Sequence, residues 1–452
     1  MSRRPVAAII LAAGMGTRMK SETHKVLHPI GGRPMLLHLM ASVDEIAPER
    51  TVVVVGARRE QVEAAVAHTA AVVVTQEPQL GTAHAVLQAK EALAGFDGDV
   101  LVLYGDVPFI ESATMRLMLS KLNNEKDTPA AVVLGFRAAD PGAYGRIDAD
   151  NGVIRKMVEF KDASAAERAI DLCNSGLLAV RSADLWPLLE RVGNDNAAGE
   201  YYLPDIIMLA KADGRVSRVV ETAEAEVMGI NSRAELAVAE ARFQSERRAY
   251  FMKEGVTLTD PGSVFFAFDT KIAADVSIAP SVVFGPGVSV GAGTRIHAFS
   301  HIEGAKIGEK AEIGPYARLR PGTDLARGVK IGNFVETKKA VFAEGAKANH
   351  LSYVGDATVG AKANIGAGTI TCNYDGFFKY KTEIGAGAFI GSNSALVAPV
   401  KIGDGAIVGA GSVMTKDVEA DALAVARGVQ DSKPGWAARF REAMTAKKKA
   451  AK

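Results

Sequence analysis

The chain has 452 residues, 53 basic against 52 acidic side chains, a net charge of +1 and 48% hydrophobic residues. That balance excludes a general electrostatic attraction to nucleic acid or anionic lipid, the hydrophobic fraction excludes a disordered chain, and the length allows two or three domains. Only Cys173 and Cys372 are present, far apart in sequence, so neither a disulfide framework nor a thiolate zinc site is supported and a reducing cytoplasm is the expected compartment.

Arg3-Arg4 followed by Val6 to Ala13 has the outline of a signal peptide, but the glycines and Arg18 that come next argue against one, and the expectation is a soluble protein with an intact N-terminus. No apolar run approaches the roughly 18 to 20 residues of a spanning helix. The run VAAIILAA, residues 6–13, predicts a strand buried on both faces of a parallel sheet. Further strands are predicted at Thr51–Gly56, Ala71–Thr75, Val100–Leu103, Ala130–Leu134 and Gly176–Val180, with helices at Pro34–Ile46, Glu60–His68 and Thr82–Leu93. Alternating strands and helices make a doubly wound, Rossmann-like α/β domain, whose ligands bind beyond the carboxyl ends of the strands.

Ala234 to Glu254 reads as one helix, with Leu236, Ala239, Phe243 and Tyr250 at helical spacing and Gly255 as its stop. Aliphatic residues then recur every six positions: Ile272, Ile278, Phe284, Val290, Ile296 and Ile302, next Ile307, Ile313, Leu319, Leu325 and Ile331, and later Ile384, Ile390, Leu396, Ile402, Val408 and Met414. Three six-residue units close one triangular coil of a parallel β-helix, with the aliphatic side chain inward and a small residue at the corner. Strands of a sandwich would alternate with period two and come at uneven spacing. The phase slips by one residue between Ile302 and Ile307 and between Val354 and Val359, and an insertion departs from the coils at Thr371–Glu383. The predicted domains are therefore 1–233, a linker helix at 234–255, and a β-helix at 256–452 ending in a disordered basic tail, Ala446–Lys452.

The first chemical cluster is the loop LAAGMGTRM, Leu11 to Met19, which leaves the first strand with glycines that let backbone N–H groups approach a phosphate. By spacing it matches neither the dinucleotide fingerprint nor an ATPase loop, and a glycine-rich turn is as often only a turn. Arg18 and Lys25 add two cations suited to a polyphosphate whose leaving group needs charge stabilisation. With the following HKVL (His24 to Leu27), QEPQLGT (Gln76 to Thr82), YGDVP (Tyr104 to Pro108), YGRI (Tyr144 to Ile147), VEFKD (Val158 to Asp162), NSG (Asn174 to Gly176), EYY (Glu200 to Tyr202) and GIN (Gly229 to Asn231), the chain resembles the sugar-1-phosphate nucleotidyltransferases. Together with the repeats, the similarity extends over nearly the whole chain to the bacterial family of bifunctional UDP-N-acetylglucosamine pyrophosphorylases and glucosamine-1-phosphate N-acetyltransferases.

That resemblance implies that Leu11, Ala12, Ala13, Gly14, Gln76, Gly81 and Thr82 hold the uracil nucleotide of UTP, with Tyr104 and Gly105 beside it and Arg18 and Lys25 as catalytic cations on the phosphates. It further implies that Gly145, Glu159 and Asn174 hold N-acetylglucosamine and that Asp106 and Asn231 bind Mg²⁺, an ion that favours oxygen ligands and retains several waters. Without the neighbouring motifs, Asp106 reads first as a turn aspartate capping a strand end.

The second cluster consists of polar residues where the repeats call for aliphatics and corners, in RLRPG (Arg318 to Gly322), FVETKK (Phe334 to Lys339), ANHLSY (Ala348 to Tyr353) and NIGAGTITCNYDG (Asn364 to Gly376), with Lys379 beyond. These segments are similar to the acetyltransferase half of the same family. Amine attack on a thioester needs a base, and histidine is the side chain that titrates near neutrality, which suits His350; His297 and His301 read as surface or core residues. The resemblance implies that Arg320 and Lys338 clamp the phosphate of glucosamine 1-phosphate, that Tyr353 and Asn364 position its sugar, and that Asn373 orients the base or the amine. Ala367, Asn373, Tyr374, Ser392, Ala410 and Arg427 correspond to acetyl-CoA positions. It also implies a homotrimer and a left-handed coil, against the usual right-handed crossover rule, and a cytoplasmic enzyme supplying peptidoglycan and lipopolysaccharide precursors.

Three departures stand out: Met15 where relatives often carry Lys, NSG for a frequent NTG, and the apolar pair Phe377-Phe378 in the insertion. A single-activity nucleotidyltransferase with a regulatory β-helix, and a non-enzymatic scaffold, are the competing readings. Arg18, Lys25, Asp106 and Asn231 argue against the scaffold, and His350, Lys338, Asn373 and Arg427 against a single activity.

Overall fold

The computed structural model describes residues 4–14, 16–124 and 127–451, so that Arg3, Met15 and Lys452 lie outside the described residues. It contains two compact units, one ending at Ser245 and one starting at Glu246. The division falls within the helix Arg233–Lys253, which covers the segment expected to be helical.

In the first unit the elements run β1 (Val6–Ala12), α1 (Met35–Asp44), β2 (Arg50–Val55), α2 (Arg59–Val66), β3 (Val72–Thr75), α3 (Thr82–Leu87), β4 (Asp99–Tyr104), α4 (Ser112–Leu122), β5 (Ala131–Arg137), β6 (Arg146–Asp150), β7 (Val153–Val158), β8 (Leu172–Arg181), α5 (Ser182–Leu189), α6 (Asp205–Ala212) and β9 (Arg218–Thr222). The expected helix at 82–93 is α-helical only as far as Leu87. One sheet takes the order β3-β2-β1-β4-β8-β5-β9-β7-β6, with β6 also touching β8. The apolar run of β1 is explained by its two neighbours and two faces: it pairs in parallel with β2 and β4. Val6, Ala8, Ile10 and Ala12 join one buried cluster, while Ala7, Ile9 and Leu11 join another on the opposite face. The sheet is parallel from β3 to β4, as expected for a doubly wound domain, and again between β5 and β9, but it is mixed overall because β8 lies antiparallel to both β4 and β5. An apolar strand looks the same in either direction, so strand polarity had to await the tertiary pairings.

The second unit is a parallel β-helix. Its register runs Ile278↔Ile296↔Ile313↔Ile331↔Ala348↔Ile365↔Ile390↔Val408. Ile278 to Ile296 is a step of 18 positions, three six-residue units; three steps shorten to 17, two of them at the expected slips and a third from Ile331 to Ala348, and the insertion lengthens the step from Ile365 to Ile390 to 25. The aliphatic positions named from the sequence share one apolar column, with only Ile272 at its partly buried end. Corners are not always small. Phe299, Tyr316 and Phe334 turn one corner in successive coils with φ of 60°, 56° and 55°, and their exposed rings stack at 4.9 and 5.1 Å.

The end of the chain corrects an expectation. Residues expected to be a disordered tail form the last turn of an exposed helix, Trp436–Ala450, because Ala, Lys, Arg, Glu and Met are good helix formers. Among the described residues no helix is long and apolar enough to cross a membrane.

Candidate functional site

In the first unit the expected residues gather at the carboxyl ends of β1 and β4. The loop after β1 and the loop after β4 are joined where Gly105 N–H donates to the Leu11 carbonyl at 2.9 Å, and Gln79 donates to the Ala13 carbonyl. Gly14 is exposed and open: a Cβ added there would meet nothing within 4 Å, leaving room for a ligand against the backbone. Arg18, in the short turn Thr17–Met19, is exposed and makes no ion pair among the described residues.

Lys25 behaves differently from expectation. Its ammonium lies 2.5 Å from Asp106 Oδ2 and 3.0 Å from Asn231 Oδ1, the two oxygens expected to hold a metal. Asp106 is anchored by Ile230 N–H, which donates to its carbonyl at 2.9 Å, and Asn231 by Glu235, whose carboxylate accepts from the Asn231 N–H at 2.6 Å. A carboxylate and an amide oxygen thus already converge on one cation, a hard-oxygen donor pair that suits Mg²⁺ when phosphate oxygens complete the shell. Among the described residues there is no group of three or more His, Cys, Asp or Glu that could bind a metal unaided.

Gln76 is buried at the mouth of a 490 Å³ cavity beside Arg58 and Gln79. Thr82 accepts the Leu203 N–H at 2.9 Å on its hydroxyl. Gly81, with φ 115°, lies so close to Tyr201 that a Cβ would stand 2.5 Å from its carbonyl oxygen. Burial pushes the Tyr104 phenol well above its ordinary range, so it remains a neutral hydroxyl.

The expected sugar residues also meet. Gly145 carbonyl accepts from Asn174 N–H at 2.9 Å, and a Cβ on Gly145 would lie 3.2 Å from Glu159 Oε1 and 3.5 Å from Asn174 Cβ. Glu159 and Asn174 line a 260 Å³ cavity with Tyr202 and Asp205. Burial, then the nearby Asp205 and Asp162, raise the Glu159 carboxyl above its usual pKa. The NSG motif has a local reason: β8 bulges between Asn174 and Leu178, and Gly176, with φ 84°, passes the Tyr104 ring where a Cβ would stand 2.6 Å away. A larger cavity of 720 Å³ between α3 and α5, beside Phe96 and Trp186, contains none of the expected residues.

In the second unit the coil register supplies what the sequence could not display. Asn333 pairs with His350 in neighbouring coils. The chained register places Ala367, Ser392 and Ala410 on successive coils at that same position. The expected base and three expected acetyl-CoA residues therefore form one column. His350 Nδ1 lies 2.7 Å from Asn333 Oδ1, and both border a 290 Å³ cavity. Asn333 was not singled out from the sequence; a signal existed, a polar residue 17 positions before His350, but only the coil step makes it meaningful. Asn373, one expected partner of the base, is buried and donates instead to Asp356 at 2.5 Å. His297 faces Glu312 at 3.3 Å, and Glu312 lines the same cavity.

Cations gather on an adjacent face. Lys338 pairs in register with Gly355, Arg320 donates to Glu336 at 2.7 Å, and Tyr353 follows Glu336 in the next coil. Lys379 comes up against Lys338 and, with Arg320, lowers its pKa, as expected where like charges converge before an anion neutralises them. Asn364 pairs with Lys347 and Phe389. Arg427 donates to the Ala410 carbonyl at 2.5 Å, and exposed Tyr374 donates to Gly376 at 2.5 Å. Phe377 and Phe378 are 86% and 68% exposed, on a turn whose two N–H groups Asp375 accepts at 2.7 Å each.

Comparison with known proteins agrees with this division. Residues 8–199 match the MobA-like NTP transferase domain, and residues 381–416 match the bacterial transferase hexapeptide, six repeats, in keeping with a left-handed parallel β-helix. The chain is 68% identical over 453 residues to the bifunctional protein GlmU of Rhizorhabdus wittichii, with all of both chains covered. It is 64% identical to that of Sphingopyxis alaskensis, covering 99% of this chain and 98% of the relative, and 63% identical to that of Novosphingobium aromaticivorans, covering 98% of each. A nucleotidyltransferase unit with its strand-end loops, a hexapeptide β-helix, and full-length identity of this order place the chain in the GlmU family of bifunctional proteins.

Proposed function

We propose that the chain makes UDP-N-acetylglucosamine in two steps, first acetylating the amine of glucosamine 1-phosphate from acetyl-CoA at the β-helix, then transferring uridylate from UTP to N-acetylglucosamine 1-phosphate in the α/β unit. The observation that carries this reading is that each unit has its own complete set of groups: Lys25, Asp106 and Asn231 in one, and His350 with Asn333 beside the Arg320, Lys338 and Lys379 cations in the other.

In the acetyl transfer, Arg320, Lys338 and Lys379 neutralise the sugar phosphate, with Tyr353 and Asn364 on the sugar. His350 donates its Nδ1 proton to Asn333, which leaves Nε2 as the lone pair that takes a proton from the amine. The C–N bond forms as the C–S bond breaks, and coenzyme A leaves as the thiol. The column of Ala367, Ser392 and Ala410, with Asn373, Tyr374 and Arg427, holds the cofactor. In the uridylyl transfer a phosphate oxygen of the sugar phosphate attacks the α-phosphorus of UTP in line and pyrophosphate leaves. Little proton transfer is needed, since the nucleophile is already an anion; orientation and charge neutralisation do the rest. Arg18 and Lys25 supply positive charge, Gln76, Gly81 and Thr82 with the 11–14 loop hold the nucleotide, and Gly145, Glu159 and Asn174 hold the sugar. Asp106 and Asn231 would hold a magnesium ion, which when bound adds charge neutralisation at the phosphates.

We further propose a cytoplasmic homotrimer, for which the exposed Phe299, Tyr316 and Phe334 ladder offers an apolar face to a neighbouring copy. The test of function follows thiol and pyrophosphate separately in a mixture of glucosamine 1-phosphate, acetyl-CoA, UTP and Mg²⁺. His350→Ala is expected to abolish thiol release yet form pyrophosphate from added N-acetylglucosamine 1-phosphate, and Asp106→Ala to do the reverse. Equal loss of both activities from either change would refute the assignment.

A further inference from the structure

The α/β unit contains a histidine that no step above uses. His84 lies on α3, within the helix that starts at Thr82, and its ring faces the Gln76 side chain. Gln76 is 5% exposed, so its amide has little water to turn to and its hydrogen bonds must come from the protein or a ligand. Its amide nitrogen donates to the Gly81 carbonyl at 2.9 Å and lies 3.2 Å from His84 Nδ1. On the far edge of the ring, the Gln88 head group lies 3.2 Å from Nε2 and 3.0 Å from the His84 carbonyl.

An amide NH₂ has two hydrogens: one meets the Gly81 carbonyl, and the other meets Nδ1 in the ring tautomer that carries its hydrogen on Nε2, the tautomer in which the Gln88 side chain turns its oxygen to Nε2. Oε1 is then the one atom of the Gln76 head group left for a ligand, and it can only accept. We infer that His84 is a positioning residue that locks the Gln76 amide with its oxygen toward the nucleotide base and so selects a pyrimidine with a ring N–H over one without. Uracil carries hydrogen at N3, whereas cytosine presents a lone pair there, and an acceptor set against a lone pair leaves both unsatisfied in a buried site. Without the His84 contact only the Gly81 carbonyl holds the amide in that orientation, and turning the NH₂ outward, which matches cytosine, costs less. This inference rests on the reading of Gln76 as a contact of the base.

The experiment measures pyrophosphate release by the full-length protein with N-acetylglucosamine 1-phosphate and either UTP or CTP, for the natural sequence and for His84→Ala, His84→Asn and Gln76→Ala. The denaturation transition of the α/β unit, followed by circular dichroism on the same preparations, checks that each variant is folded. His84→Ala is expected to raise KM for UTP more than it lowers kcat, and to shrink the UTP-to-CTP ratio of kcat/KM by roughly tenfold, the effect of one lost hydrogen-bond preference. His84→Asn, whose side-chain oxygen can accept where Nδ1 did, is expected to restore most of the ratio. An unchanged ratio in His84→Ala, alongside a reduced one in Gln76→Ala, overturns the positioning role while leaving Gln76 on the base. An unchanged ratio in Gln76→Ala overturns the base contact itself. Equal loss for both nucleotides without rescue by His84→Asn marks His84 as structural and overturns the inference too.

Discussion

Replacing Asn333 by Ala tests whether the coil register, and not only the histidine, makes the acetyl-transfer base. The change removes the Oδ1 acceptor that lies 2.7 Å from His350 Nδ1 and deletes no charge. In the resting enzyme that hydrogen bond is worth about 1 kcal/mol net, but as His350 takes the proton of the amine the ring becomes an imidazolium and the bond is charge-assisted, worth roughly 1.5 to 3 kcal/mol. His350 is solvent-exposed, so the lower end applies. The part that appears in kcat is the charge-assisted bond less the resting one, about 0.5 to 1 kcal/mol, a fall of roughly 2- to 5-fold in kcat for thiol release, with KM for glucosamine 1-phosphate little changed. Asn333→Asp retains an acceptor and adds a negative charge that favours the imidazolium; it is expected to retain activity and to move the acid limb of the pH–rate profile upward. Thiol release is followed from acetyl-CoA under saturating sugar phosphate, with pyrophosphate release as the control that stays constant. Natural-sequence kcat in Asn333→Ala, or a parallel loss of pyrophosphate release, would refute the reasoning.

Two further outcomes concern stability. Ile331 is fully buried in the β-helix column, stacked between Ile313 and Ala348, so Ile331→Ala is expected to cost about 3 kcal/mol in the denaturation transition of the second unit, and a cost below about 1 kcal/mol would mean that the column is not a packed core. His24 is buried and its pKa is lowered to about 4, first by burial and then by Lys25, Arg58 and His28. Between the ordinary histidine pKa of 6.5 and about 4 the unfolded chain binds a proton that the folded chain refuses. Stability is therefore expected to be full above pH 6.5 and to decline by up to about 3 kcal/mol as the pH falls toward 4. His24→Asn, which retains an acceptor for the Val26 N–H, should flatten that decline in urea titrations; an equally steep acid limb in the variant would exclude His24 as its source.

Much of the molecule was legible without coordinates, for reasons that differ between its halves. A β-helix repeats one local rule, so the six-residue return of Ile278, Phe284, Val290 and the rest states both the fold and the buried column. The loop after β1 and the HKVL segment likewise state their chemistry locally, because backbone N–H groups and neighbouring cations act within a few residues of one another. Other features had no local signature. The antiparallel direction of β8 depends on its pairing with β4 and β5, since an apolar strand reads alike both ways. The last turn of the helix Trp436–Ala450 reads from the sequence as the start of a disordered tail because its charge suggests solvation, whereas its helix-forming residues decide its backbone.

What the amino-acid sequence determined by itself, then, was the inventory: two units, the periodic core, and the candidate side chains for phosphate, metal and acyl chemistry. What only the tertiary structure decided was who touches whom. Lys25 lies 206 positions before Asn231, and Asn333 is 17 before His350. Hydrogen bonding acts over about 3 Å and is indifferent to separation along the chain, so those partnerships exist only after strand order and coil register bring the residues together.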